Sequence, residues 1–232
     1  MKVIGMIGGM SWESSAEYYK LANELVQDRL GGFHSAPCVL YSVDFAGIES
    51  MQAEGRWDEA AAVLAGAARA LELAGAELLV LCTNTMHKVA PALEAATTLP
   101  LLHIGDVAAA AVRRAGLTRV GLLGTRFTKE EPFLRERLAA EGIDVLVPGA
   151  QDRATVHRVI YDELVHGVVR DESRAAYQDV IARLGAAGAE GVVLGCTEIE
   201  LLISAEDVAI PVFPTTRLHV EAAVDAALEP SR

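Results

Sequence analysis

The sequence predicts an α/β fold of two similar lobes, each a parallel sheet flanked by helices. Eight short, β-rich apolar runs alternate with longer segments of helical period, and the order of motifs in the first half recurs in the second. The runs are continuously rather than alternately apolar, so both faces of each strand are expected to be buried, as parallel strands are beneath two layers of helices.

In order, the strand candidates are KVIGMIG (2–8), CVLYSVDF (38–45), ELLVLC (77–82), PLLHIG (100–105), RVGLLGT (119–125), DVLVP (144–148), GVVLGC (191–196) and IPVFPT (210–215). Between them, residues 15–32, 56–76, 106–116, 131–142 and 173–189 are apolar at helical spacing, several closed by a glycine that can terminate a helix. Right-handed βαβ units follow. The internal repeat then favours two lobes over one. VIGMIGGMS at 3–11 resembles VGLLGTRFT at 120–128, and AELLVLCT at 76–83 resembles AEGVVLGCT at 189–197.

Composition narrows the function. The chain has 232 residues, 52% hydrophobic and 22% charged, with a net charge of −12. That profile fits a folded globular protein and argues against nucleic acid, whose phosphates need clustered Lys and Arg. A small molecule or a protein is the expected partner. The N-terminal MKVIGMIGGMSW reads as a first strand rather than a signal peptide, and no apolar stretch approaches a membrane span. We therefore expect a cytoplasmic protein with no membrane partner. Three cysteines, at 38, 82 and 196, suit neither a disulfide scaffold nor a zinc site.

Two of those cysteines carry the chemistry. Cys82 and Cys196 each end an apolar strand just before small polar residues, LCTNTMH and LGCTEIE. In parallel α/β sheets, ligands gather at the carboxyl ends of strands. Amides and a helix dipole there would lower a thiol's pKa and make it a base or nucleophile. With Asn84, Thr85 and Thr197, the same amides would hold a carboxylate. A thiolate on one side of a carbon and a thiol on the other would invert it, with the sulfurs about 7 Å apart. The competing reading is that each cysteine packs as a small hydrophobe, which is the reading for Cys38 inside its strand. A papain-like pairing of Cys82 with His87 would leave Cys196 unexplained.

GMIGGMSWES (5–14), LCTNTMHK (81–88), PLLHI (100–104), LLGTRFT (122–128) and GCTEI (195–199) together resemble the aspartate/glutamate racemase family across nearly the whole chain. The resemblance implies cofactor-independent racemisation of an amino acid in a cleft between two lobes related by pseudo-twofold symmetry, with Cys82 and Cys196 as the acid/base pair. It implies lobes of 1–100 plus 212–232 and of 101–211, and a homodimer. Met10, Ser11, Asn84, Thr85 and Thr197 would line the pocket and hold the α-carboxylate, and Thr125 would join them from the mirrored strand end. Arg56, with Gln52 beside it, matches the family's arginine for a distal carboxylate. The matching second-lobe lysine is absent: the lysines are Lys2, Lys20, Lys88 and Lys129. Both an aspartate/glutamate substrate and a broader set of amino acids follow.

His103 reads either as orienting a group near the cleft or as a satisfied buried residue, and His166 as an exposed helical histidine. Arg126 is a weaker pocket candidate than Thr125. Glu198 reads as a first-turn carboxylate that could also tune the neighbouring proton equilibrium. No Schiff-base lysine context for pyridoxal phosphate and no metal motif is present, so no cofactor is expected. The alternatives are isomerisation or decarboxylation of a small dicarboxylic acid and, from another class, a two-lobed ligand-binding protein without turnover.

Overall fold

A computed structural model describes residues 1–125 and 132–229. The chain divides into two compact units, Met1–Ile104 with the segment from His219 onward, and Gly105–Leu218. The first contains β1 (Ile4–Gly8), α1 (Trp12–Leu30), β2 (Cys38–Ser42), α2 (Phe45–Ala53), α3 (Trp57–Leu73), β3 (Leu78–Leu81), a 3-10 turn Thr85–Val89, α4 (Ala90–Glu94) and β4 (Leu101–Leu102). The second is built from α5 (Ile104–Arg114), β5 (Arg119–Gly124), α6 (Pro132–Ala140), β6 (Asp144–Leu146), α7 (Ala150–Asp162), a 3-10 turn Leu164–His166, α8 (Asp171–Ala186), β7 (Gly191–Gly195), a 3-10 turn Thr197–Leu201 and β8 (Val212–Pro214). Helix α9 (Thr215–Leu228) returns the chain to the first unit.

Each unit holds a four-stranded, fully parallel sheet, in the orders β2-β1-β3-β4 and β6-β5-β7-β8. The orders are the same when β5 to β8 are matched to β1 to β4, so the sequence repeat is a repeat of topology. In β3, Leu79 and Leu81 face α2 and α3, packing with Ile48, Leu64 and Leu71. Leu78 and Val80 face the other way, toward Tyr18, Ala22 and Val26 of α1 and Val220 and Val224 of α9. In β7, Val192 and Leu194 pack with α7 and α8, and Val193 with α5 and α6. This two-sided burial is why the central strands read as unbroken apolar runs.

The outer strands differ from that expectation. Edge strand β2 leaves Leu40 and Tyr41 more than 40% exposed, because among the described residues no strand pairs with its outer rim. The strand pairings show how β4 and β8 attach to the two sheets. Leu101 and Leu102 pair with β3 and belong to the first unit, whereas Val212–Pro214 pair with β7 and remain in the second. The compact units divide at 104/105 and at 218/219.

Local chemistry sets the loop that leads into α1. The Ser11 side chain caps the helix by accepting from the Ser14 amide at 3.3 Å. Gly9, at φ +93°, lies so close to the next loop that a Cβ would sit 2.2 Å from the Val43 carbonyl oxygen. The GMIGGMS glycines therefore allow backbone to approach backbone, as a close-approach loop requires.

Candidate active site

Cys82 and Cys196 each follow the equivalent strand of their sheets, β3 and β7. The Cys82 amide bonds the Ile7 carbonyl at 2.9 Å, which places the residue beside the end of β1. Ser14 Oγ donates to the Cys82 carbonyl at 3.1 Å, so the N-terminal turn of α1 ties Met10 and Ser11 to the cysteine loop. Asn84 and Thr85 follow in the same loop, both buried. In the second unit, Gly124 registers with Gly195, which sets Thr125 beside Cys196, with Thr197 next in the chain. Arg126 lies outside the described residues.

The electrostatics reverse one expectation. Both loops lead into five-residue 3-10 turns, too short to build much of a macrodipole. Burial dominates instead. It pushes the Cys82 thiol up, with Cys38 adding a smaller push in the same direction. Cys82 is fully buried in the apolar layer with Tyr18 and Val220, its Sγ directed at the Val80 carbonyl 4.0 Å away. For Cys196, burial again comes first, reinforced by the Glu198 carboxylate, which accepts from Sγ at 2.9 Å. The Glu198 amide opposes the shift, but the thiol remains well above its ordinary range.

Gln52 and Arg56 sit apart from the loop residues in their bonding. Gln52 is buried and donates to Met86 Sδ at 2.8 Å. The Arg56 guanidinium is already engaged, bonding Glu54 at 2.8 Å, Glu59 at 2.9 Å and Ser50 Oγ at 3.3 Å. His166 is exposed, while His103 is buried against His87. The sequence weighs His87 only as a papain-like partner of Cys82 and offers no role for Ser14. The His87 ring bonds the Thr83 carbonyl at 2.7 Å, and a polar residue closely following a strand-end cysteine was its only signal.

Among the described residues, no group of three or more His, Cys, Asp or Glu side chains is placed to hold a metal, and no helix is long and apolar enough to cross a membrane.

Two parallel α/β units of one topology are the architecture of the two-lobed α/β racemases. Residues 7–223 match the Asp/Glu/hydantoin racemase family, and the chain belongs to it. It is 52% identical to a crystal structure of a proposed Asp/Glu racemase from Yersinia pestis, covering 99% of this chain and all of that one, with a TM-score of 0.94. An aspartate racemase homologue from Pyrococcus horikoshii is 33% identical, over 99% of this chain and all of that one, with a TM-score of 0.89. Picrophilus torridus aspartate racemase, at 19% identity, shares the fold over the whole of this chain and 96% of its own, with a TM-score of 0.78. The protein is an isomerase of the racemase type.

Proposed function

We propose that the protein is a cofactor-independent amino-acid racemase that inverts the α-carbon with Cys82 and Cys196 as a two-base pair. The observation that carries this reading is the placement of both thiols at the ends of equivalent strands in two sheets of identical order. Both thiols are pushed up, so the resting pair is protonated, and a thiolate must form as substrate enters. At Cys196 an acceptor is in reach, the Glu198 carboxylate 2.9 Å from Sγ, and transfer of the thiol proton to it is uphill until the charges of the bound substrate offset the shift. The Cys196 thiolate then takes the α-proton, and the Cys82 thiol delivers its own to the opposite face. One turnover leaves Cys82 as thiolate and Cys196 as thiol, the form that handles the other enantiomer.

The α-hydrogen is far less acidic than a thiol, so the developing charge must be spread into the substrate carboxylate. In the proposed site Ser11, Asn84, Thr85, Thr125 and Thr197 hold that carboxylate as it gains enolate character, and burial strengthens each bond. Arg56 would bind a distal carboxylate only by exchanging Glu54 or Glu59 for it. That pairing favours a set of substrates that extends beyond aspartate and glutamate to uncharged side chains.

A homodimer belongs to the same reading, supported by the apolar rim of β2, and sedimentation tests it. So does a cytoplasmic location, where Cys38, Cys82 and Cys196 stay as the free thiols they are here.

Proton NMR of Cα–H exchange in D2O, under reducing conditions, tests the central claim. The substrates are both enantiomers of aspartate, glutamate, homoserine and several neutral amino acids. Exchange with inversion is expected, lost in Cys82→Ser and in Cys196→Ser. If the folded, reduced protein exchanges no amino acid, the reading fails, and small dicarboxylic acids and then simple ligand binding take its place.

A further inference from the structure

The first unit buries a knot of aromatic polar groups that the proton chemistry above does not use. His87, His103 and His219 are at most 5% exposed and Tyr18 is 1% exposed. The ring centroids of His87 lie 4.6 Å from His103 and 5.6 Å from His219, and Tyr18 meets His219 edge-on at 5.7 Å. Imidazoles placed in an otherwise apolar layer need matched bonds.

Those bonds fix the proton positions. The Ile104 amide can only donate, and it does so to His87 Nε2 at 3.2 Å. The ring proton of His87 is therefore on Nδ1, which donates to the Thr83 carbonyl at 2.7 Å. His219 has the opposite tautomer. The Leu102 carbonyl can only accept, so Nε2–H donates to it at 2.8 Å, and Nδ1 takes the Tyr18 hydroxyl at 3.0 Å. Burial, with the neighbouring imidazoles, keeps both rings neutral.

The partners are placed informatively. Thr83 directly follows Cys82, and Ile104 is the last residue of the first unit before the chain crosses to the second. His219 is the first residue on the return, and it holds Leu102, two residues before Ile104. A single neutral imidazole thus spans from the cysteine loop to the outgoing crossing.

We propose that His87 is a positioning residue for Cys82: a two-ended strut that fixes the Thr83 carbonyl by Nδ1–H and the Ile104 amide by Nε2. The proposal rests on Cys82 being one of the two acid/base groups. The Thr83 end does the positioning, because it immobilises the peptide next to the cysteine, and misplacing a reacting group by about 1 Å can cost on the order of 10²-fold in rate. The Ile104 end orients the ring.

Two conservative variants of the full chain separate the ends. His87→Asn places a side-chain N–H near the position of Nδ1 and keeps the Thr83 bond. His87→Gln reaches toward Ile104 and loses it. We expect the Asn variant to keep kcat within about threefold, and the Gln variant to lose about 10²-fold in kcat with KM within about twofold. A second readout is independent of turnover. Thiolate absorbance near 240 nm, titrated in a Cys38→Ser, Cys196→Ser background, should show Cys82 ionising at least about one pH unit lower in the Gln variant as its loop opens to water, and unmoved in the Asn variant. Equal behaviour of the two folded variants in both readouts overturns the proposal. Should the wild type racemise nothing, the catalytic reading fails, while the titration still decides whether His87 sets the environment of Cys82.

Discussion

The two cysteine loops leave equivalent strands, yet their sulfurs meet different surroundings. Cys82 lies in an apolar layer, governed by burial, with its loop held through its backbone by Ser14 and its neighbour Thr83 held by His87. Cys196 has a carboxylate on its sulfur, and its loop is anchored further along, where Glu200 accepts from the Thr216 amide at 2.8 Å. A repeated fold can thus present one nucleophile type twice while treating its proton in two ways. The first loop is held through its backbone, whereas the second sets a carboxylate against its sulfur.

The largest effect that bears on this comparison comes from the sulfurs themselves. Cys82→Ser and Cys196→Ser should each lower racemisation by about 10³-fold or more in both directions, read by polarimetry or NMR. Near-normal turnover in either variant would break the comparison at its root.

Next in size is an acid effect confined to the first loop's surroundings. Burial lowers His219 to about 4, with His103 adding to the shift and the Leu102 carbonyl opposing it. Because the unfolded chain takes up this proton near pH 6.5 and the folded chain does not, stability is complete above that pH. It is lost as pH falls from about 6.5 toward 4, by roughly 3 kcal/mol. Denaturant unfolding across that range should show the slope, and His219→Gln should flatten it.

A smaller effect belongs to the second loop. Glu198→Gln removes the charge that reinforces burial, so the Cys196 thiol should titrate lower while Cys82 stays put, and kcat should fall about tenfold as the proton loses its acceptor. Titration at 240 nm in matched single-cysteine backgrounds would separate the two sulfurs. An equal shift at both would mean that the loops are electrostatically alike. Smallest of all, Ser14→Ala should cost about 1 kcal/mol by freeing the Cys82 carbonyl, a drop of about 2–4 °C in Tm for a chain of this size. A Tm unchanged by this substitution would remove Ser14 from the anchoring of the first loop.

Much of the fold was legible because it is written in local pattern. The central strands are apolar on both faces, so ELLVLC and GVVLGC announce themselves, and the repeat marks their ends as equivalent places. CVLYSVDF reads the same way, yet its strand β2 is a half-covered edge, since strand order is a property of the sheet and not of the run. At the proposed site, Cys82, Asn84, Thr85, Cys196 and Thr197 are candidates by adjacency alone. The sign of the thiol shifts could not, because the dipole argument is local while burial by Tyr18 and Val220 is tertiary. The pairing of Arg56 with Glu54 and Glu59 depends on side-chain conformation rather than spacing. Tyr18 and His219 are 201 residues apart, and no periodicity connects them.

The returning helix has a consequence for the order in which the chain is made. Val220, Ala223, Val224 and Ala227 complete the layer that covers one face of the first sheet. On a ribosome, that layer stays open until these residues have emerged, although most of its strands were synthesised first. The contiguous second unit, ending at Leu218, is whole before then. The unit that begins the chain is therefore the last to close, and its unfinished apolar face is the surface that nascent-chain chaperones would meet.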